Sequence, residues 1–96
     1  MPLTKLENEL RQVARERIQD GRLPNEIPTR DWAGIGNNAP CSLCDKVIRT
    51  DEVEYELESV VGGAKRIHRF HFLCHAAWQI ECARYKHLSG TDPSPP

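Results

Sequence analysis

The chain has 96 residues, 39% of them hydrophobic and 28% charged, with a formal net charge of −1, a pI near 6.4 and a mean hydropathy of −0.60. That length allows one small domain with a thin core, and the charge balance excludes an overall basic footprint for nucleic acid. No apolar run resembles a signal peptide or a membrane span, so the expectation is a soluble cytoplasmic protein in which four cysteines do not pair as two disulfides.

Residues 5–20 read as an amphipathic helix. Thr4 and Glu7 form a capping box, Leu6, Leu10, Val13, Ala14 and Ile18 recur at helical spacing, and Gly21 supplies a stop. The stripe is expected to pack on the rest of the chain, with a partner groove or dimerisation as the other destinations. Arg11, Arg15, Arg17 and Arg22 are nearly balanced by Glu7, Glu9, Glu16 and Asp20, which describes a solvated face rather than a phosphate-binding one.

Residues 22–40 read as a connector. Pro24, Pro28, Gly34, Gly36, Asn37, Asn38 and Pro40 interrupt any periodicity. Trp32 is costly to leave in water, so it is expected to anchor this connector to the following module, or else to serve as a binding hot spot.

From Cys41 the pattern sharpens. Cys41 and Cys44 bracket a tight turn. Val53, Tyr55 and Leu57 alternate with Glu52, Glu54, Glu56 and Glu58, which predicts a half-buried strand. Residues 60–64 turn the chain, a less regular strand covers residues 65–70, and a helix follows over 71–88 with Gly90 as its cap. Residues 91–96 read as a disordered, Pro-rich tail. Asp51, Glu52, Glu54, Glu56 and Glu58 precede Lys65, Arg66 and Arg69, so cross-strand charge pairing is expected, with a partner surface as the alternative.

Cys41-Ser42-Leu43-Cys44 and His71-Phe72-Leu73-Cys74 together offer three thiolates and one imidazole, a set that tetrahedral Zn²⁺ prefers. In a chain this small such an ion is a folding device, worth roughly 10–16 kcal/mol of apparent binding energy. A turn, a β-hairpin and a helix whose first turn carries the second donor pair resemble the treble-clef zinc finger. The CxxC-then-HxxC order is similar to the first zinc module of LIM domains, with 26 residues between Cys44 and His71. The resemblance covers residues 41–88. It implies an α+β fold, one structural Zn²⁺, and Cys41, Cys44, His71 and Cys74 as its ligands. The second LIM ligand set is missing, so LIM partner biology is not implied.

The fourth donor leaves alternatives. His75 can reach the same helical face as His71, and His68 lies in the preceding strand. His75 otherwise reads as a surface residue or a support for the ligands, and His87 as a helix-end cation. Cys82, eight residues beyond Cys74 and so roughly 12 Å along a helix, is too distant to share the ion and reads as core rather than as a reactive thiol. Trp78 is expected to pack over the centre, with Phe70 and Phe72 shielding it.

The enzymatic readings fit poorly. Pro40-Cys41-Ser42-Leu43-Cys44 matches half of the zinc deaminase signature, but no histidine precedes Cys41 to supply the HxE half. HExxH is missing as well, and a CxxC that precedes a strand is not placed as in thioredoxin-like proteins. Catalytic zinc also keeps an open position, which four good donors would close. Two binding roles remain. The chain is expected to be a protein-interaction or regulatory adaptor module that presents the acidic strand, Trp32 or the first helix. The alternative is a nucleic-acid binder using Lys65, Arg66, Arg69, Arg84 and Lys86.

Overall fold

Thr4 caps the first helix in the computed structural model, which describes residues 4–27, 31–61 and 63–88. Helix α1 spans Lys5–Gln19. The Thr4 hydroxyl accepts from the Glu7 N–H at 3.1 Å, and the Glu7 carboxylate accepts from the Thr4 N–H at 3.2 Å, the reciprocal bonding that satisfies two orphan donors. Gly21 ends the helix region at φ +83°, a conformation that costs glycine little. Ala14 and Ile18 are buried, with Leu10 and Val13 packed against them, whereas Leu6 is exposed.

Three strands form an antiparallel sheet in the order β1 (Asp31–Ile35), β4 (Val53–Val61), β5 (Ala64–Phe70); β2 (Ala39–Pro40) and β3 (Val47–Ile48) form a separate short pair. The β4–β5 register sets Tyr55 against Phe70 and Leu57 against His68 on one face, and Glu56 against Arg69 on the other. The inner face is covered by helix α2 (Phe72–Leu88). The expected strand alternation holds at Leu57, which is fully buried, but not at its start, where Val53 is half exposed and Glu54 is buried. Val53 pairs with Ile35, itself 79% exposed, so this end of the sheet projects beyond the packed core. The expected charge pairing is present: Lys65 lies 3.5 Å from Glu58, and Arg69 lies 3.5 Å from Glu56 and 3.7 Å from Glu54.

Helix α2 turns Cys74, Ala77, Trp78 and Cys82 into the core. Trp78 stacks on Phe70 with centroids 5.5 Å apart, and its indole N–H donates to the Pro24 carbonyl at 2.9 Å. Helix α1 packs against α2 and runs in the same direction. Glu7 and Arg11 meet Leu73, Ala76 and Ile80 near the helix starts, while Ile18 and Gln19 meet Arg84 and Tyr85 near the ends. Glu81 is buried between them and accepts from Arg11 Nε at 2.7 Å and Arg15 Nε at 3.0 Å. One apolar cluster therefore runs from Ala14 of α1 to Cys82 of α2, an α+β arrangement in which the N-terminal helix shares the core.

Several expectations are corrected. Residues 22–40 contain strands β1 and β2. Strand β1 lacks a visible period because all five residues are exposed; pairing with β4, not burial, makes it a strand. Trp32 is 41% exposed and lies outside the buried core; Leu23, 3% exposed, and the Trp78–Pro24 hydrogen bond tie the connector to that core. Phe72 is 61% exposed, facing Tyr55 at 6.1 Å rather than shielding the cysteines. His75 is buried and stacked on Tyr55 at 4.5 Å. The Gly90 cap and the 91–96 tail lie outside the described residues. Among the described residues, no helix is long and apolar enough to cross a membrane.

Candidate metal centre

The CxxC segment is the loop of the β2–β3 hairpin, whose register pairs Ala39 with Ile48 and Pro40 with Val47. Backbone bonds tighten it: Cys41 N–H to Lys46 O at 2.9 Å and Asp45 N–H to Cys41 O at 3.0 Å. Asp45 closes the turn at φ +69°, a left-handed conformation that aspartate tolerates better than most side chains. The Leu43 N–H points at Cys41 Sγ, 3.4 Å away. Gly36 lets the hairpin approach β1, since a Cβ there would sit 2.1 Å from the Arg49 carbonyl oxygen.

The turn docks on the end of β5. Ser42 donates its N–H to Arg69 O at 2.6 Å and accepts from the Arg69 N–H through its hydroxyl at 3.0 Å. These two hydrogen bonds fix the turn beside His71, immediately after β5, and Cys74, in the first turn of α2. Helix α1 clamps the other side: Arg17 Nη1 donates to Ser42 O at 2.6 Å, and its Nη2 lies 2.7 Å from Asp45 Oδ2.

The result is a cluster of Cys41, Cys44, His71 and Cys74 whose donor atoms all lie within 4.8 Å of one another. His71 Nδ1 is 3.4 Å from Cys44 Sγ and 3.9 Å from Cys74 Sγ. With ordinary Zn–S and Zn–N bond lengths, a tetrahedral ion separates sulfur from nitrogen by about 3.6 Å and sulfur from sulfur by about 3.8 Å, so the spacing suits such an ion. The tautomer suits it too. His71 Nε2 lies 3.0 Å from the Val47 carbonyl, which can only accept, so Nε2 carries the proton and Nδ1 turns its lone pair toward the thiols. Carbonyl support of this kind orients metal-binding imidazoles.

The thiols cannot all ionise unaided. Cys41 is pushed well below the usual thiol range, chiefly by a hydrogen bond from Cys74; burial opposes this, and backbone N–H groups of Cys44, His71 and Leu43 assist it. Cys74 moves up through that same bond and through burial, and burial likewise raises Cys44. A divalent ion beside the three sulfurs would favour the ionised form of each. Cys41 and Cys74 are buried, while Cys44 and His71 are half-buried, so four donors would enclose an ion and leave it no open position.

The remaining candidates fall elsewhere. His75 points away from the cluster, with Nε2 3.5 Å from Asp31 Oδ2. His68 is buried against Ser59 Oγ at 2.8 Å. Cys82 sits under Pro24, its thiol raised to about 12 mainly by burial. His87 is exposed at the end of α2. Sequence reasoning missed the Val47 carbonyl, the Ser42–Arg69 dock and the Arg17 clamp, none of which has a local sequence signature.

Comparison of the chain with protein-family models, with curated proteins and with solved structures finds no match. The chain is a small α+β protein with a Cys₃His cluster that could hold a metal ion.

Proposed function

We propose that the protein is a zinc-stabilised interaction module of treble-clef type, in which one structural Zn²⁺ held by Cys41, Cys44, His71 and Cys74 fixes a β-hairpin and a helix and so presents the sheet to a protein partner. The observation that carries this reading is the closed, thiolate-rich donor set with its Nε2–H held by Val47. Three sulfurs favour zinc over harder cations, and a filled shell favours scaffolding over hydrolysis. Zinc thiolates belong in a reducing compartment such as the cytoplasm. The interaction role is supported by Trp32 and Ile35, apolar side chains left exposed on an edge strand.

The nucleic-acid alternative, which would use Lys65, Arg66, Arg69, Arg84 and Lys86, is less favoured. Lys65 is engaged by Glu58 and Arg69 by two glutamates, while Arg84 and Lys86 lie on a different element, α2.

Native mass spectrometry of protein purified without added metal tests the centre. One zinc per chain, lost on acid denaturation with all four thiols then free, is the expected result; a metal-free, folded chain would overturn it. Crosslinking to a partner protein that persists after nuclease treatment tests the role, whereas binding to nucleic acid that falls steeply with salt would replace it.

A further inference from the structure

Strand β1 is an open edge of the three-stranded sheet. The Gly36 N–H donates to Glu52 O at 2.9 Å, and antiparallel pairs alternate between bonded and non-bonded positions. With the register Gly34–Glu54 and Trp32–Glu56, Trp32 and Gly34 therefore spend their backbone groups on β4. Asp31, Ala33 and Ile35 turn theirs outward, a row of donors and acceptors that no other described strand pairs.

The outer face beside that row has a particular shape and charge. Trp32 and Gly34 share this face with Glu54 and Glu56. A Cβ built on Gly34 meets nothing within 4 Å, so a lane is open above Gly34 on β1, with the 41% exposed Trp32 as one wall and Glu54 buried beside it. At its inner end two carboxylates share one cation, Arg69 Nε, at 3.7 and 3.5 Å. Glu54 Oε1 is buried without a hydrogen-bond partner, and burial together with Glu56 raises the Glu54 carboxyl above its ordinary value. Among the described residues, Arg69 is the cation that faces both carboxylates.

We infer that the β1 edge binds an extended, basic segment of a partner protein as an added strand, with a Lys or Arg side chain laid over Gly34, against Trp32, toward Glu54 and Glu56. The residue facing Gly34 in such a strand occupies the closer, non-bonded position, and its Cα stands about 10 Å from that of Glu54 across β1. A long cationic side chain and a glutamate span that distance between them. Trp32 lies on the diagonal, within reach of the same cation. The outward groups of Asp31, Ala33 and Ile35 supply the backbone bonds, as in other strand-addition sites. This inference rests on the interaction-module reading and names the chemistry of its partner.

Two other features are weaker. The cleft lined by Arg15, Gln19, Glu81, Arg84 and Tyr85 lies at the C-terminal ends of two parallel helices, where the backbone dipoles oppose an anion. Cys82 is a buried lone thiol under Pro24.

The test is fluorescence anisotropy of the zinc-loaded chain with a short labelled peptide that alternates lysine with threonine, beside a counterpart carrying glutamate for lysine. The lysine peptide is expected to bind and the glutamate peptide not to. Gly34→Val fills the lane without touching the fold and should weaken binding at least about tenfold, as should Trp32→Ala; Glu56→Gln should weaken it and flatten its salt dependence. Zinc content and melting of each variant report folding. Equal binding of both peptides, no binding of either, or full binding by Gly34→Val would overturn the inference. A dimer in light scattering that Gly34→Val disperses would also overturn it, by assigning the edge to a second copy. A crosslinked partner retained equally by Gly34→Val would overturn the lane while leaving the interaction-module reading standing.

Discussion

Arg17 and Asp45 join the N-terminal helix to the cysteine turn through a two-pronged ion pair, with N–O distances of 2.7 and 3.3 Å. Because the same guanidinium also holds the Ser42 carbonyl at 2.6 Å, helix α1 takes part in shaping the donor cluster although it contributes no donor. Arg17→Met should therefore leave one zinc per chain yet speed its loss to a competing chelator several-fold, read by a colorimetric zinc indicator. Unchanged release would mean that the turn holds its shape alone.

His71 and His75 should separate cleanly. His71→Gln removes the Nδ1 donor and is expected to abolish stoichiometric zinc. His75→Phe keeps the stack on Tyr55 and should retain the ion with only a modest fall in melting temperature. Metal analysis by inductively coupled plasma spectrometry distinguishes them, and zinc loss only in the His75 variant would reverse the assignment.

Cys82 should resist alkylation in the native, zinc-loaded protein, since its thiol is 3% exposed and raised to about 12. Intact-mass analysis after iodoacetamide should show almost no adduct. Adding a chelator should bring modification of Cys41, Cys44 and Cys74, followed by Cys82 as the core opens.

Glu81 makes acid stability depend on the helix pair. Burial opposes its ionisation, but hydrogen bonds from Arg15 and Arg11 outweigh that and hold its carboxyl below the ordinary value. A depressed carboxyl stabilises the fold fully above the unfolded value of about 4.3, and that stabilisation is lost as pH falls through the folded value. Glu81→Leu should cost about 2–3 kcal/mol at neutral pH, less than a fully buried pair, because the Arg15 side chain is 42% exposed. It should also flatten the acid side of a pH–stability curve followed by circular dichroism at constant zinc occupancy.

Gly36→Ala places a methyl group 2.1 Å from a backbone oxygen, so the β2–β3 hairpin must move. A loss of about 1–3 kcal/mol is expected, seen as a fall in melting temperature of several degrees. Gly34→Ala, with open space above it, should leave melting almost unchanged.

The local elements and the donor pattern are legible in the order of residues alone. Thr4 and Glu7 announce the first helix because a capping box is a local chemical fact, and the Leu57 face of β4 is legible because alternation follows from the pleat. Cys41, Cys44, His71 and Cys74 are legible because few other roles suit two donor pairs at those spacings. The tertiary structure alone decided what depends on contacts between distant residues. Strand β1 exists through its pairing with β4, and an edge strand exposed on every side chain writes no period into the sequence. The anchoring role passed from Trp32 to Leu23 and Pro24 because the site where Trp78 offers its N–H is set by helix packing. Likewise His71 shows its Nδ1 to the thiols only because the Val47 carbonyl, 24 residues away in the chain, holds its other nitrogen.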